Sequence, residues 1–262
     1  MPQLTSRSAL ILIVIAQFFG TSLWFAGNAV APEISQILQE PEILATITSV
    51  VQLGFILGTL LLAIFSIPDR FSPSKVFLVS SILAACFNLL IVILPMQLTE
   101  VLVCRFMVGF FLAGIYPIGM KIASDYFQKG LGAALGFLVG ALVLGTAFPH
   151  LLKGLDLDFS WAIVLWFTSV LAVLGGVIVG FLVPDGPFHK INSKFDFSLL
   201  PKLSKISALK SAAAGYFGHM WELYTFWAFV PVLIVHFRGN EAIHTSDSLL
   251  SFFVIAIGAL NG

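Results

Sequence analysis

The sequence predicts an all-α polytopic membrane protein, a helical bundle of seven complete spans and part of an eighth. Three observations carry that reading. Hydrophobic residues make up 59% of the chain and charged residues 10%, against roughly 45–50% and 25% in soluble domains. Mean hydropathy is +1.03. So few polar side chains cannot cover a water-facing surface, which leaves lipid as the covering solvent. The apolar residues also fall into runs of about 20, the length that crosses a hydrocarbon core about 30 Å thick. Zero formal net charge excludes bulk attraction to nucleic acid.

The runs follow in order. Residues 8–31 carry no charge, and Glu33, Glu40 and Glu42 fill the connection after them. Residues 43–67 end at Pro68-Asp69-Arg70, and 76–95 end at Pro95. Runs follow at 99–120, 131–152, 160–183 and 211–235, and an eighth begins near Ser248 and stops at Gly262. Fifteen residues reach only about 22 Å as a helix, so the chain reads as truncated within that span. Three parts are expected: residues 1–184 as a six-helix half, 185–210 as a cytoplasmic linker, and 211–262 as the start of a second half. Spaced apolar residues over 191–206 suggest an interfacial helix within the linker. Cys86 and Cys104 lie within spans and read as small apolar side chains.

Orientation follows from the basic residues. With the N-terminus in the cytoplasm, the inner segments hold Arg7, Arg70, Lys75, Lys121, Lys129 and the five lysines of 185–210. The outer segments hold only Lys153 and Arg238. A multi-pass protein of the plasma (inner) membrane with a cytoplasmic N-terminus is expected.

Two charges inside apolar runs point to function. Arg105 sits in the fourth run, where a charge needs a protein interior, a water-filled cavity or a counter-charge. Snorkelling to the headgroups is the plainer alternative. Glu222 lies near the middle of the seventh run with His219 three residues earlier, on one helical face with Tyr216. Desolvation penalises a carboxylate there, and such a group suits proton uptake and release. A buried acid bonded across a helix interface is the alternative, as is a pair with Arg105. Asn28 and Gln52 are further candidates for a substrate and proton pathway, with Gln17 and Asn88 beside them. Gly109 lies one turn beyond Arg105, and Gly132, Gly136 and Gly140 recur every four residues, followed by Gly145 and Pro149. That stripe suits close helix packing, and Pro117, Pro149 and Pro231 suit bent or broken helices. No metal-ligand set, nucleophile motif or dinucleotide-binding glycine motif occurs, so neither an enzyme nor a cofactor is expected.

These motifs resemble the major facilitator superfamily. Asp69, Arg70 and Lys75 in the turn between the second and third spans resemble its conformational-switch signature. Phe65 and Ser72 stand where that signature has glycine. Arg105-x-x-x-Gly109 resembles the fourth-span motif associated with proton coupling, and the fifth-span glycines resemble the antiporter pattern. Gly215–Trp227 resembles the seventh span of nitrate/nitrite- or cyanate-type porters. The resemblance implies secondary transport of a small solute or anion by alternating access, as symporter or antiporter, with protons and the bilayer as partners. An inactive transporter fragment and a membrane scaffold or channel subunit are the other readings. Oligomeric state is left open.

Overall fold

Thr5 starts the first helix by accepting the Ser8 N–H on its hydroxyl, as an N-cap does. The structure, a computed structural model, describes residues 4–155, 160–189, 198, 200–203, 205–239 and 245–261. Helix α1 runs Ser6–Thr21, and then the helix stops. Two short helices follow, α2 (Ala26–Ala29) and α3 (Ala31–Leu38). The expected first span over 8–31 is therefore interrupted at residues 22–25. Local chemistry explains it. The Thr21 and Ser22 hydroxyls donate to the Gln17 and Phe19 carbonyls at 2.8 and 2.7 Å, competing with the backbone ladder. Pro32, at the start of α3, suits the beginning of a new helix and not the interior of an old one.

The next elements are α4 (Ile43–Ile64), α5 (Ile67–Arg70), α6 (Pro73–Ile93), α7 (Leu98–Leu112) and α8 (Tyr116–Tyr126). Then come α9 (Leu131–Gly154), α10 (Ala162–Val177) with a π-helical end (Ile178–Leu182), and α11 (Leu200–Leu203). Last are α12 (Ser207–Arg238) and α13 (Thr245–Ala256), the latter ending in a 3₁₀ turn (Ile257–Asn261). Among the described residues, six helical stretches are long and apolar enough to cross a membrane. They are Ile43–Ile64, Pro73–Ile93, Leu98–Tyr126, Leu131–Gly154, Ala162–Leu182 and Ser207–Arg238. The count of seven complete spans is thus met only in part. Pro117 opens α8 after a turn, whereas α9 and α12 run through Pro149 and Pro231. Lys190, Lys194 and most of the expected interfacial helix lie outside the described residues.

Lipid offers no hydrophobic drive between helices, so small residues and close packing hold them together. Gly54 and Gly58 of α4 face the Phe106 and Phe110 backbone of α7, and Gly109 faces the Val51 backbone in return. Helix α1 lies between α9 and α10, with Gly145 against Thr21 and the Phe18 carbonyl and Gly175 against the Ala16 carbonyl. The glycine stripe of α9 is not one continuous contact, however. Gly132 has no neighbour within 4 Å. Gly136 and Gly140 line an apolar groove between α1 and the chain's last turn. Of Gly132, Gly140 and Gly145, the last makes the closest approach, where α1 runs alongside.

Helix α12 is packed at one end only. Nearly every residue from Ser207 to His219 is exposed, on all faces of the helix. Trp227, Ala228, Val230 and Pro231 are buried. The first part of α12 therefore stands free of the earlier helices, and the part around Trp227–Pro231 packs against them.

Candidate functional site

Stopping a helix at membrane depth leaves backbone carbonyls without their usual donors, and such backbone is tolerated only inside protein or beside water. Arg105 of α7 supplies donors at the break. Its Nη2 donates to the Trp24 and Leu23 carbonyls at 2.7 and 3.3 Å, and its Nη1 donates to Asn88 Oδ1 at 3.1 Å. The Asn88 amide then donates to the Leu165 carbonyl at 3.1 Å, Ser169 Oγ at 3.0 Å and Thr168 Oγ1 at 3.3 Å. One guanidinium thus joins the break to α7, α6 and α10. Its rigid fork of five donors suits several acceptors at once. Gly27 makes room for it, since a Cβ there would lie 2.8 Å from Arg105 Nε. Lys153 of α9 grips the same segment farther on, donating to the Ala29 carbonyl and pairing with Glu33, both at 2.9 Å.

Arg105 is 0% exposed and its terminal nitrogens are engaged, so it does not snorkel. Asn28 is buried and donates to Thr48 Oγ1 at 2.7 Å, tying α2 to α4. Gln52 lies one turn along α4 with its Nε2 buried and unbonded. Gln17, Trp24 Nε1, Asn28 Oδ1, Arg105 Nε and His150 Nε2 are likewise buried without partners. Orphaned polar atoms are uncommon in folded proteins, and here they gather around the interrupted span. Tyr216, His219 and Glu222 lie on exposed parts of α12. Glu222 falls on the side away from Tyr224 and Trp227, the residues that face the break. The structure therefore does not bring Glu222 to enclosed Arg105.

Aromatic rings fill the place where α12 meets the break. Trp24 stacks on Tyr224 with centroids 5.3 Å apart and lies 4.6 Å from Phe55 and 6.5 Å from Tyr116. Phe25 stacks on Tyr224 at 6.4 Å and meets Trp227 edge-on at 6.2 Å. Trp24 bears no mark in the sequence that sets it apart from other apolar residues of the first run, and Lys153 stood out there only as an outer basic residue. The run of glycine, threonine and serine at residues 20–22 was the available signal for the break.

A second polar network lies at the opposite end of the bundle. Asp69 pairs with Lys121 at 2.9 Å, and Lys121 lies 3.9 Å from Asp125. Asp125 accepts from His189 at 2.9 Å, and its carbonyl accepts the Phe188 N–H. Lys75 donates to the Gly180 carbonyl in the π turn at 2.7 Å and sits over the Phe181 ring. Ser72 donates to Asp185 and Tyr126 to the Pro184 carbonyl. Arg70 is exposed. The expected switch loop is thus fastened to α8 and to the end of α10. Because Lys121 and Asp69 keep 24% and 28% of their side-chain surface, Lys121→Ala should cost less than about 1 kcal/mol. Thermal unfolding in detergent checks this, and a larger loss would mean that the pair is coupled to the rest of the network.

Six long apolar helical stretches among the described residues define a multi-pass membrane protein. Residues 10–262 match the Major Facilitator Superfamily, and the chain belongs to that family. Its members are transporters and not enzymes. The fold is similar to the solved structure of a bacterial homolog of the human lysosomal transporter Spinster, in an inward-facing and unoccupied conformation. Sequence identity is 16% and the TM-score 0.58, over 97% of this chain and 60% of that one. The chain thus spans about three-fifths of the length of that relative. No curated protein matches it.

Proposed function

We propose that the chain is part of a secondary active transporter that moves a small solute together with protons by alternating access. In this reading residues 1–184 form one half, 185–210 the linker and 211–262 the start of the other half. The protein lies in the plasma (inner) membrane with its N-terminus in the cytoplasm. The one-ended packing of α12 is the observation that carries the proposal: the helix is free at its N-terminal end and packed at Trp227–Pro231. A carrier in one of its two states is open on one side only, and with the linker inside that side is the cytoplasmic one. Arg105 positions the break, and Asn28 and Gln52 line its approach. Tyr216, His219 and Glu222 serve the pathway from α12, with Glu222 carrying the proton. Asp69, Arg70 and Lys75 form the switch loop.

The resemblance of Gly215–Trp227 to nitrate/nitrite- and cyanate-type porters favours a second reading, with a small anion as solute. Reconstitution of the chain in vesicles holding a pH-sensitive dye tests both. Solute-evoked proton movement is expected, and Glu222→Gln should abolish it. Movement evoked by nitrate or cyanate would select the second reading. Passive ion flux unaffected by a pH gradient would reject carriers altogether in favour of a channel.

A further inference from the structure

A crevice of about 300 Å³ lies where the end of α4 and the short α5 meet α6 and α7. It follows the first two turns of α6. Ser80 and Gly114 are buried at its floor, while Phe71, Lys75 and Val79 stand exposed at its rim. The floor is tight, since a Cβ on Gly114 would run into the Ser80 hydroxyl. Apart from Lys75 and Ser80 the lining is apolar, and most of it belongs to three membrane-spanning stretches, Ile43–Ile64, Pro73–Ile93 and Leu98–Tyr126. Acyl chains are the apolar material that meets such a crevice in a bilayer.

The rim carries positive charge. Lys75 uses one of its three N–H donors on the Gly180 carbonyl at 2.7 Å. Arg70 stands exposed next to Phe71, and its guanidinium has no partner among the described residues. The acid beside it in sequence, Asp69, is held by Lys121 at 2.9 Å. Among the described residues neither Arg70 nor Lys75 forms an ion pair. Basic side chains at the mouth of a pocket between spans are what an acidic lipid headgroup meets.

We infer that an anionic phospholipid of the bilayer binds here, its phosphate against Arg70 and Lys75 and the upper part of one acyl chain in the crevice. A zwitterionic lipid fits its chain into the same crevice but brings an ammonium toward the two cations. Arg70 lies in the connection between α4 and α6 and Lys75 in the first turn of α6, so the bound lipid ties that connection to the leaflet. The inference rests on the membrane-embedded fold and not on coupled transport. Failure of the proton assay above would leave it standing.

Native mass spectrometry of the detergent-solubilised chain, titrated with didecanoyl phosphatidylglycerol or didecanoyl phosphatidylcholine, tests this. Phosphatidylglycerol should bind about fivefold or more tighter, the gain expected from one basic residue at an anionic headgroup. Arg70→Gln should remove most of that preference and leave phosphatidylcholine within about twofold of the parent. Val79→Phe sets a ring across the rim and should weaken both lipids about threefold or more. Both replaced side chains are exposed, and an unchanged melting temperature without lipid confirms that the variants fold. Lys129→Gln removes an exposed cation that does not line the crevice and should keep the preference. Equal binding of the two lipids, an unaltered preference in Arg70→Gln, or unaltered affinity in Val79→Phe would each overturn the inference. Loss of the preference in Lys129→Gln would also overturn it, by showing a diffuse effect of surface charge.

Discussion

Arg105→Ala should lower the stability of the detergent-solubilised chain by about 3–5 kcal/mol, among the largest effects of any single substitution. The side chain donates to the Leu23 and Trp24 carbonyls and to Asn88, and each buried acceptor left bare costs about 1–3 kcal/mol. Removing so large a buried side chain adds a cavity, and local relaxation recovers part of the total. Arg105→Met separates the two contributions, because it refills most of the volume and restores no donor. Arg105→Lys supplies one ammonium where three acceptors are spread around a fork, so it should fall between Met and the parent. Thermal unfolding reads the order parent, Lys, Met, Ala. A Met variant as stable as the parent would show that volume, and not hydrogen bonding, is what Arg105 contributes.

Gly109→Leu should separate α4 from α7 and leave little folded protein. The Val51 backbone lies directly against Gly109, with Gly54 and Gly58 making the matching approach to Phe106 and Phe110. Overpacking costs about 1–3 kcal/mol even where side chains can move aside, and here the obstacle is main chain. Gly109→Ala should cost an amount in that range. Gly218→Ala is the contrasting control, for nothing lies within 4 Å of Gly218. Helix propensity alone should make that variant up to about 1 kcal/mol more stable. Yield of monodisperse protein and melting temperature check all three. Equal behaviour of the Gly109 and Gly218 variants would reject the seam.

The span pattern was legible because one quantity, apolar run length, decides it. Residues 43–64, 73–93 and 131–154 lie close to the runs found in the sequence. The first run escaped that logic, since hydropathy is blind to hydrogen bonding and residues 22–25 are as apolar as a helix would be. Arg105 was identifiable as exceptional, being a lone charge in an apolar run. Its acceptors were not, because they come from residues 17 and 81–82 positions away and two are backbone atoms that leave no mark on sequence. Glu222 was conspicuous for the same reason as Arg105, yet helical phase places it opposite Tyr224. The ring cluster was unreadable for another reason. Each of its members is an ordinary residue, and only the meeting of separate segments sets them together.

The gap in the first span has a mechanical consequence. A continuous rod passes tilt from one end to the other, whereas two stubs joined by four residues can lean independently. Arg105 and Lys153 tether that joint to different neighbours. The Ser6–Thr21 stub is thus held by α9 and α10, and the segment beyond the joint by a separate set of grips, so the load on one is not carried rigidly to the other.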